Sequence, residues 1–235
     1  MFPSKTAVIS GGASTGFTNT YSLAFDGSND FVATSGDGTL ADRTYMFWAK
    51  STETGSNYGV FGHGSDTIGA FHLNVGNTPF LTIGGATNTR RFWTDVAAQD
   101  DGNWHHWAVY VDSTSIVNSK LYIDGDLQSP TSTNGTTTIA AYSSNLTIGG
   151  ATGEFFEGSL DEFAVFSGDT TSKASDYWNS GTPTDLSGES GLLAYYRMGD
   201  GTEGASGTTI YDMSANSNNG TMTNMAGTFS TDVPT

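Results

Sequence analysis

The sequence predicts an all-β fold, two antiparallel sheets packed as a jelly-roll sandwich with one short helix. Three observations predict it. The apolar segments are short and evenly spaced. Aromatic residues are abundant, with 14 Phe, 10 Tyr and 5 Trp. The 31 glycines, with many Ser, Thr and Asn, fall between the apolar runs. Aromatics and β-branched residues favour strands, and the polar and glycine clusters favour turns. At 235 residues the chain is long for one domain, yet all-β sandwiches reach that size as single units.

Taken in order, strands are expected at Tyr21–Phe25, Phe31–Thr34, Tyr45–Lys50, Gly59–Gly62, Ala70–Val75, Phe80–Ile83 and Arg91–Val96. Others are expected at His105–Asp112, Lys120–Ile123, Asn145–Ile148, Gly158–Phe166 and Leu192–Met198. Phe71, Leu73 and Val75 alternate with His72 and Asn74, as in a strand with one solvated face. Residues 108–111 and 163–166 are apolar on both faces and belong at the middle of the sandwich. Asp26-Gly27, Asp37-Gly38 and Asp124-Gly125 supply the positive φ of tight hairpins, the clearest being Ile123-Asp-Gly-Asp126 between Leu121 and Leu127. Residues 172–179, followed by Gly181 and Pro183, predict the short helix. Leu81-Thr-Ile-Gly-Gly-Ala-Thr87 recurs at 146–152, but the flanks differ, so the echo is one strand-into-turn solution used twice. The expected organisation is an arm over 1–19, a jelly-roll domain over 20–198 and an extension over 199–235. That extension is poor in apolar residues and packs on the sandwich or on neighbouring subunits.

The formal charge is −16, with only 8 Lys plus Arg, scattered singly. Phosphate neutralisation needs clustered cations, so nucleic acid is excluded as a partner, and an anionic membrane surface is disfavoured. With no cysteine there is no disulfide or Cys-based zinc site, which fits a cytosolic, bacterial or viral origin. The longest apolar run near the N-terminus is Ala7-Val-Ile9, short of a signal peptide's core. No stretch approaches the ~18 apolar residues of a membrane span, so no membrane insertion is expected.

Four motifs carry a resemblance. Ser22-Leu-Ala-Phe-Asp-Gly-Ser-Asn-Asp-Phe-Val32, Asp101-Gly-Asn-Trp-His-His-Trp-Ala-Val-Tyr-Val111, Lys120-Leu-Tyr-Ile-Asp-Gly125 and Glu157-Gly-Ser-Leu-Asp-Glu-Phe-Ala-Val-Phe166 stand in that order. The chain resembles the laminin-G-like, concanavalin-A-like lectin/glucanase superfamily over roughly residues 20–168. Residues 177–186, 193–201 and 219–224 are similar to an ending of such domains in marine phage structural proteins. The resemblance implies a structural Ca²⁺ between the first Asp-Gly turn and the Leu-Asp-Glu strand, at Asp26, Asp30 and Asp161. Ca²⁺ takes six to eight hard oxygens, which carboxylates and turn carbonyls supply.

Catalysis on such a fold needs two carboxylates about 5 Å apart, as alternate positions on one strand provide. Glu53, Glu154, Glu157, Glu162, Glu189 and Glu203 do not form that pattern, and the neighbours Asp161 and Glu162 are expected on opposite faces. No enzyme activity is expected. His105 and His106 also face opposite ways and cannot chelate one ion together, one ring packing beside Trp104 or Trp107. His63 and His72 read as isolated. Tyr58, Trp93 and Trp178 are possible glycan platforms, with core packing the expected role of each.

The function expected is a non-enzymatic virion component of a phage, such as a capsid decoration, spike or fibre-associated protein, assembled in the host cytoplasm. Its partners would be other virion proteins, copies of itself and host-surface glycans. The alternative is a secreted or cell-surface carbohydrate-binding, lectin-like module. A signal peptide or adjoining catalytic modules would favour the alternative.

Overall fold

A computed structural model of the chain describes residues 17–36, 39, 41–53, 58–63, 69–73, 78–83, 89–94, 96, 99–134, 144–151, 153–200, 207–225 and 229–235. The Asp37-Gly38 turn, the far half of the 81–87 segment and most of the N-terminal arm lie outside the described residues.

The strands run in chain order as β1 (Ser22–Asp26), β2 (Phe31–Thr34), β3 (Arg43–Lys50), β4 (Tyr58–His63), β5 (Ala70–Leu73), β6 (Phe80–Ile83) and β7 (Thr89–Phe92). Then come β8 (His105–Val111), β9 (Lys120–Ile123), β10 (Asp126–Gln128), β11 (Ser132–Asn134), β12 (Leu146–Ile148), β13 (Gly150–Ala151) and β14 (Glu154–Phe155). The last are β15 (Glu157–Ser167), β16 (Leu192–Tyr196), β17 (Thr209–Ile210), β18 (Gly220–Thr223) and β19 (Phe229–Ser230), with one α-helix among the described residues, α1 (Ala174–Trp178), between β15 and β16. One sheet has the order β10-β9-β8-β3-β15-β1-β19, with β16 paired to β15. The other has the order β11-β7-β6-β5-β4-β12-β2-β18-β17. The strand pairings among the described residues are antiparallel, which is the two-sheet sandwich the sequence predicts. No described helix is long and apolar enough to cross a membrane.

The core lies between the sheets and is built on aromatics. Phe47 stacks on Phe163 at 5.4 Å and Tyr45 on Phe61 at 4.3 Å, while Phe71 packs near Trp107 at 5.9 Å. A second apolar cluster explains the segments that are apolar on both faces. Val109, Phe163 and Val165 face the main core, whereas Ala108, Ala164 and Phe166 face outward beneath α1, where Phe166 stacks on Tyr177 at 5.8 Å.

Turn chemistry is realised unevenly. Asp124 and Gly125 take φ values of 51° and 83°, and β9 and β10 pair around them as a two-residue hairpin. The Asp26-Gly27 turn is not a hairpin: β1 and β2 belong to different sheets, and the turn carries the chain across the sandwich. The positive φ that an Asp-Gly pair permits does not dictate which sheet the next strand joins. Residues after 199 add an edge to both sheets, through β17–β18 beside β2 and through β19 beside β1.

Candidate functional site

Alternation on three neighbouring strands builds a polar and aromatic face on the nine-stranded sheet. Phe71 and Leu81 point into the core, so His72, Phe80 and Thr82 turn outward. Register then sets Thr82 between Ala70 and Arg90, and Phe80 between His72 and Phe92. The His72 ring stacks on Phe80 at 4.6 Å, and the Arg90 guanidinium lies 5.0 Å from the Phe80 centroid. Phe92 is 5.6 Å from Phe80. His72, Phe80 and Thr82 are buried, while Arg90 and Phe92 are half-buried and mark the open side.

The β13–β14 hairpin closes the other side. It lies close on β4 because Gly59 has no side chain; a Cβ there would stand 2.3 Å from the Ala151 amide nitrogen. The same hairpin brings Glu154 within 3.2 Å of His72 Nε2. Burial and then the Arg90 charge push the His72 pKa down to about 4, so the ring is neutral at pH 7. Glu154 stands against Nε2, and Nδ1 has no hydrogen-bond partner.

Three polar atoms on this face are buried without a hydrogen-bond partner: His72 Nδ1, Thr82 Oγ1 and Arg90 Nε. Nearly all buried polar groups are satisfied, so three such atoms on adjoining positions mark a place where something else supplies the bonds. Together they offer a ring nitrogen, a hydroxyl and a donor beside two phenyl rings. The sequence reading missed this face because it took His72 as isolated. Its partners are across a strand pair and 82 residues along the chain, beyond the reach of local pattern.

The residues implied for calcium do not come together. Asp26 pairs with Glu157 and Leu23 with Leu160, which leaves Asp161 four positions, about 13 Å, along the sheet from Asp26. Asp26 Oδ1 accepts the Ser28 and Asn29 amides, and Asp30 Oδ2 accepts the Asp26 amide at 3.1 Å. Asp161 is buried and accepts Asn19 Nδ2 at 2.9 Å. Among the described residues no three His, Asp or Glu side chains form a group that could hold a metal ion. The three aspartates do not fit one shared Ca²⁺.

Other sequence-level readings are corrected or refined. Asp161 and Glu162 do not face opposite ways. A bulge sets Glu162 at φ 48°, so its carboxylate meets Tyr195 and Arg197 on the outer face where Asp161 also lies opposite Trp48. His105 and His106 do diverge, but His106 packs beside Trp48 at 5.3 Å rather than beside Trp104 or Trp107. His105 is bridged between Asp124 and Asp101 at 2.7 and 3.3 Å. His63 is held by the Tyr45 hydroxyl and the Ser144 carbonyl at 3.0 and 3.1 Å. Tyr58 and Trp93 are core residues, and Trp178 is half-buried beside α1's end.

Residues 25–174 match the profile of the concanavalin A-like lectin/glucanases superfamily. A proposed carbohydrate binding protein from Bacteroides ovatus shares the fold with a TM-score of 0.65 at 20% identity. That alignment covers 93% of this chain and 62% of the Bacteroides protein, so the chain spans less than two thirds of that relative. Weaker likenesses include domain 4 of AbnA, an extracellular arabinanase from Geobacillus stearothermophilus solved with arabinotriose. Its TM-score is 0.49 at 19% identity, covering 68% of this chain and 81% of that one. Domains LG4-5 of the mouse laminin alpha1 chain give 0.46 at 18%, covering 63% and 41%. No curated protein matches the chain.

Proposed function

Because the chain belongs to the concanavalin A-like lectin/glucanases superfamily, we propose that it is a non-catalytic, extracellular carbohydrate-binding module. The observation that carries this reading is the unpartnered trio of His72 Nδ1, Thr82 Oγ1 and Arg90 Nε between Phe80 and Phe92. A saccharide diol both donates and accepts. One hydroxyl can pair with His72 Nδ1 while a neighbouring oxygen accepts from Arg90 Nε–H, and Thr82 can serve either. The half-buried Phe92 ring offers an apolar face to sugar C–H groups. Glycoside cleavage takes a pair of carboxylates, and the carboxylate described on this face, Glu154, is engaged with His72.

The comparisons favour this lectin-like alternative over the virion role expected from the sequence.

The test is calorimetric titration with neutral oligosaccharides of wild type, Thr82→Val and Arg90→Gln. Leaving one buried polar partner unmade costs about 1–3 kcal/mol, so each variant is expected to bind roughly 5- to 150-fold more weakly. Unchanged affinity in both folded variants means that ordered water fills these valences and the reading fails.

A further inference from the structure

A second cleft lies where the start of β4 and the end of β5 approach Trp107 of β8. Ser51, Glu53, Tyr58, Gln99, Asp100 and Trp107 are among its walls. With its mouth it encloses about 360 Å³, but the space open to the centre of a water-sized sphere is about 20 Å³. We propose that this cleft is a second saccharide site, which takes a single hydroxyl or hydroxymethyl group of a neutral sugar and rejects acidic sugars. The proposal rests on the carbohydrate-binding reading above but on different residues.

Four features argue for it. Trp107 is 1% exposed, and its indole Nε1–H has no hydrogen-bond partner. A buried N–H donor of this kind calls for an oxygen acceptor. The Glu53 and Asp100 side chains on the same walls favour a ligand that brings O–H donors. A hydroxyl is the group that satisfies both demands at once. No Lys or Arg is among the described lining residues. Glu157 adjoins Glu53, and burial, that neighbour's charge and a hydrogen bond between the two raise its carboxyl, so a further anion is unfavourable beside them. A uronate or sialate carboxylate would meet like charges there.

Size separates this site from an active site. Two carboxylates on one cleft is also the arrangement of a glycoside hydrolase, which must hold a sugar ring between them. Space for about one water-sized sphere admits a protruding group and no ring. The cleft therefore reads a chain end or a side branch and leaves the glycosidic bond outside.

The experiment uses the full chain. Native mass spectrometry counts bound neutral oligosaccharide and bound uronate-containing oligosaccharide on wild type, Thr82→Val and the Glu53→Gln/Asp100→Asn double variant. The wild type is expected to carry two neutral ligands, and each variant one, with affinity at the altered site reduced at least about 5-fold. The indole N–H resonance of Trp107, assigned with Trp107→Phe, is expected to shift when neutral ligand is added to wild type, which holds even if a variant fails to fold. One ligand on wild type, abolished by Thr82→Val and untouched by the double variant, overturns the cleft and leaves the lectin reading standing. Uronate bound as well as the neutral sugar overturns the charge argument. Cleavage of either oligosaccharide overturns the size argument. Failure to bind any saccharide overturns the underlying reading.

Discussion

Arg197 Nε stands 3.2 Å from Glu162 Oε1, and around this pair the fold gathers two further buried carboxylates, Asp161 and Asp200. The site joins both ends of the described chain. Arg197 donates to the Thr18 carbonyl at 2.6 Å, Asp200 accepts the Thr20 amide at 2.6 Å, and Asn19 links Asp161 to the Pro234 carbonyl. One guanidinium thus serves two acids, Glu162 and Asp200, while Asp161 is held by Asn19. Removing one partner of a buried ion pair typically costs about 3–5 kcal/mol, because the remaining charge stays buried. Arg197→Ala is expected to lose that much in urea unfolding at pH 8, above the Glu162 value of about 7, where the pair is charged. A loss below about 1 kcal/mol would show that Glu162 is neutral and the pair is not charged.

The pH dependence has opposing parts. Burial lowers the His72 and His106 pKa values to about 4, against an ordinary 6.5. As pH falls from 6.5 towards 4, the unfolded chain takes up protons these rings cannot accept in the fold, so stability is lost on acidification. Linkage sets the upper value at about 3 kcal/mol for each ring. Glu162 acts the other way. Burial raises its carboxyl from 4.5 to about 7, so its contribution is present at low pH and is lost as pH rises through that interval. Asp161, raised in the same direction by burial and by Glu162, adds to it. Between pH 6.5 and 4.5 the terms offset each other. Glu162→Gln removes one side of the balance, so its stability should fall more steeply with acid than that of the wild type. Equal slopes in chemical denaturation at pH 6.5, 5.5 and 4.5 would refute this account.

How much of this was legible in the sequence follows from the range of each interaction. The β9–β10 hairpin could be read because an Asp-Gly pair between alternating apolar residues contains its own geometry. The outward turn of His72 could be read from the alternation around Phe71 and Leu73. What His72 meets could not, because Glu154 arrives on a distant hairpin. The Asp161–Glu162 relationship was misread for a related reason. Strict alternation sends neighbours to opposite faces, and the extra bulge residue that breaks it has no local signature. Of the residues implied for calcium, Asp26 and Asp30 share a turn, while register carries Asp161 elsewhere.

Two glycines of β15 and its neighbourhood separate strain from collision. Gly153 has φ 82° and nothing within 4 Å of an added Cβ, whereas at Gly158, with φ 140°, a Cβ would stand 2.2 Å from the Lys50 carbonyl oxygen. Gly153→Ala therefore meets only the backbone preference, about 1–2 kcal/mol. Gly158→Ala must also displace the β3–β15 ladder beside it, and is expected to cost more than about 3 kcal/mol. Thermal unfolding of the two variants checks the order, and equal losses would contradict the geometry.

The stretch from 214 to 220 is almost free of apolar residues, and Asp212 is the centre of the hydrogen bonds that order it, beside others to the Leu193 carbonyl. Asp212 Oδ1 accepts the Tyr195 amide at 2.8 Å and the Ser214 amide at 2.9 Å, while Oδ2 accepts the Asn218 amide at 2.8 Å and the Ser214 hydroxyl at 2.9 Å. The Asp212 amide in turn donates to Asn219 Oδ1 at 3.0 Å. A carboxylate accepting several amides does for this loop what a buried apolar cluster does elsewhere, and hydrogen bonds to charged groups contribute more than neutral ones. The loop delivers Gly220 to β18, which pairs with β2 along Thr34, Ala33, Val32 and Phe31. Asp212→Ala is therefore expected to free the loop and loosen β17 and β18 while the central strands stay protected. Hydrogen exchange should accelerate at residues 209–223 by at least 10-fold and remain unchanged in β3, β8 and β15. Uniform acceleration across all strands would mean that this edge is an integral part of the cooperative core, and exchange unaltered at 209–223 would mean that Asp212 does not hold it.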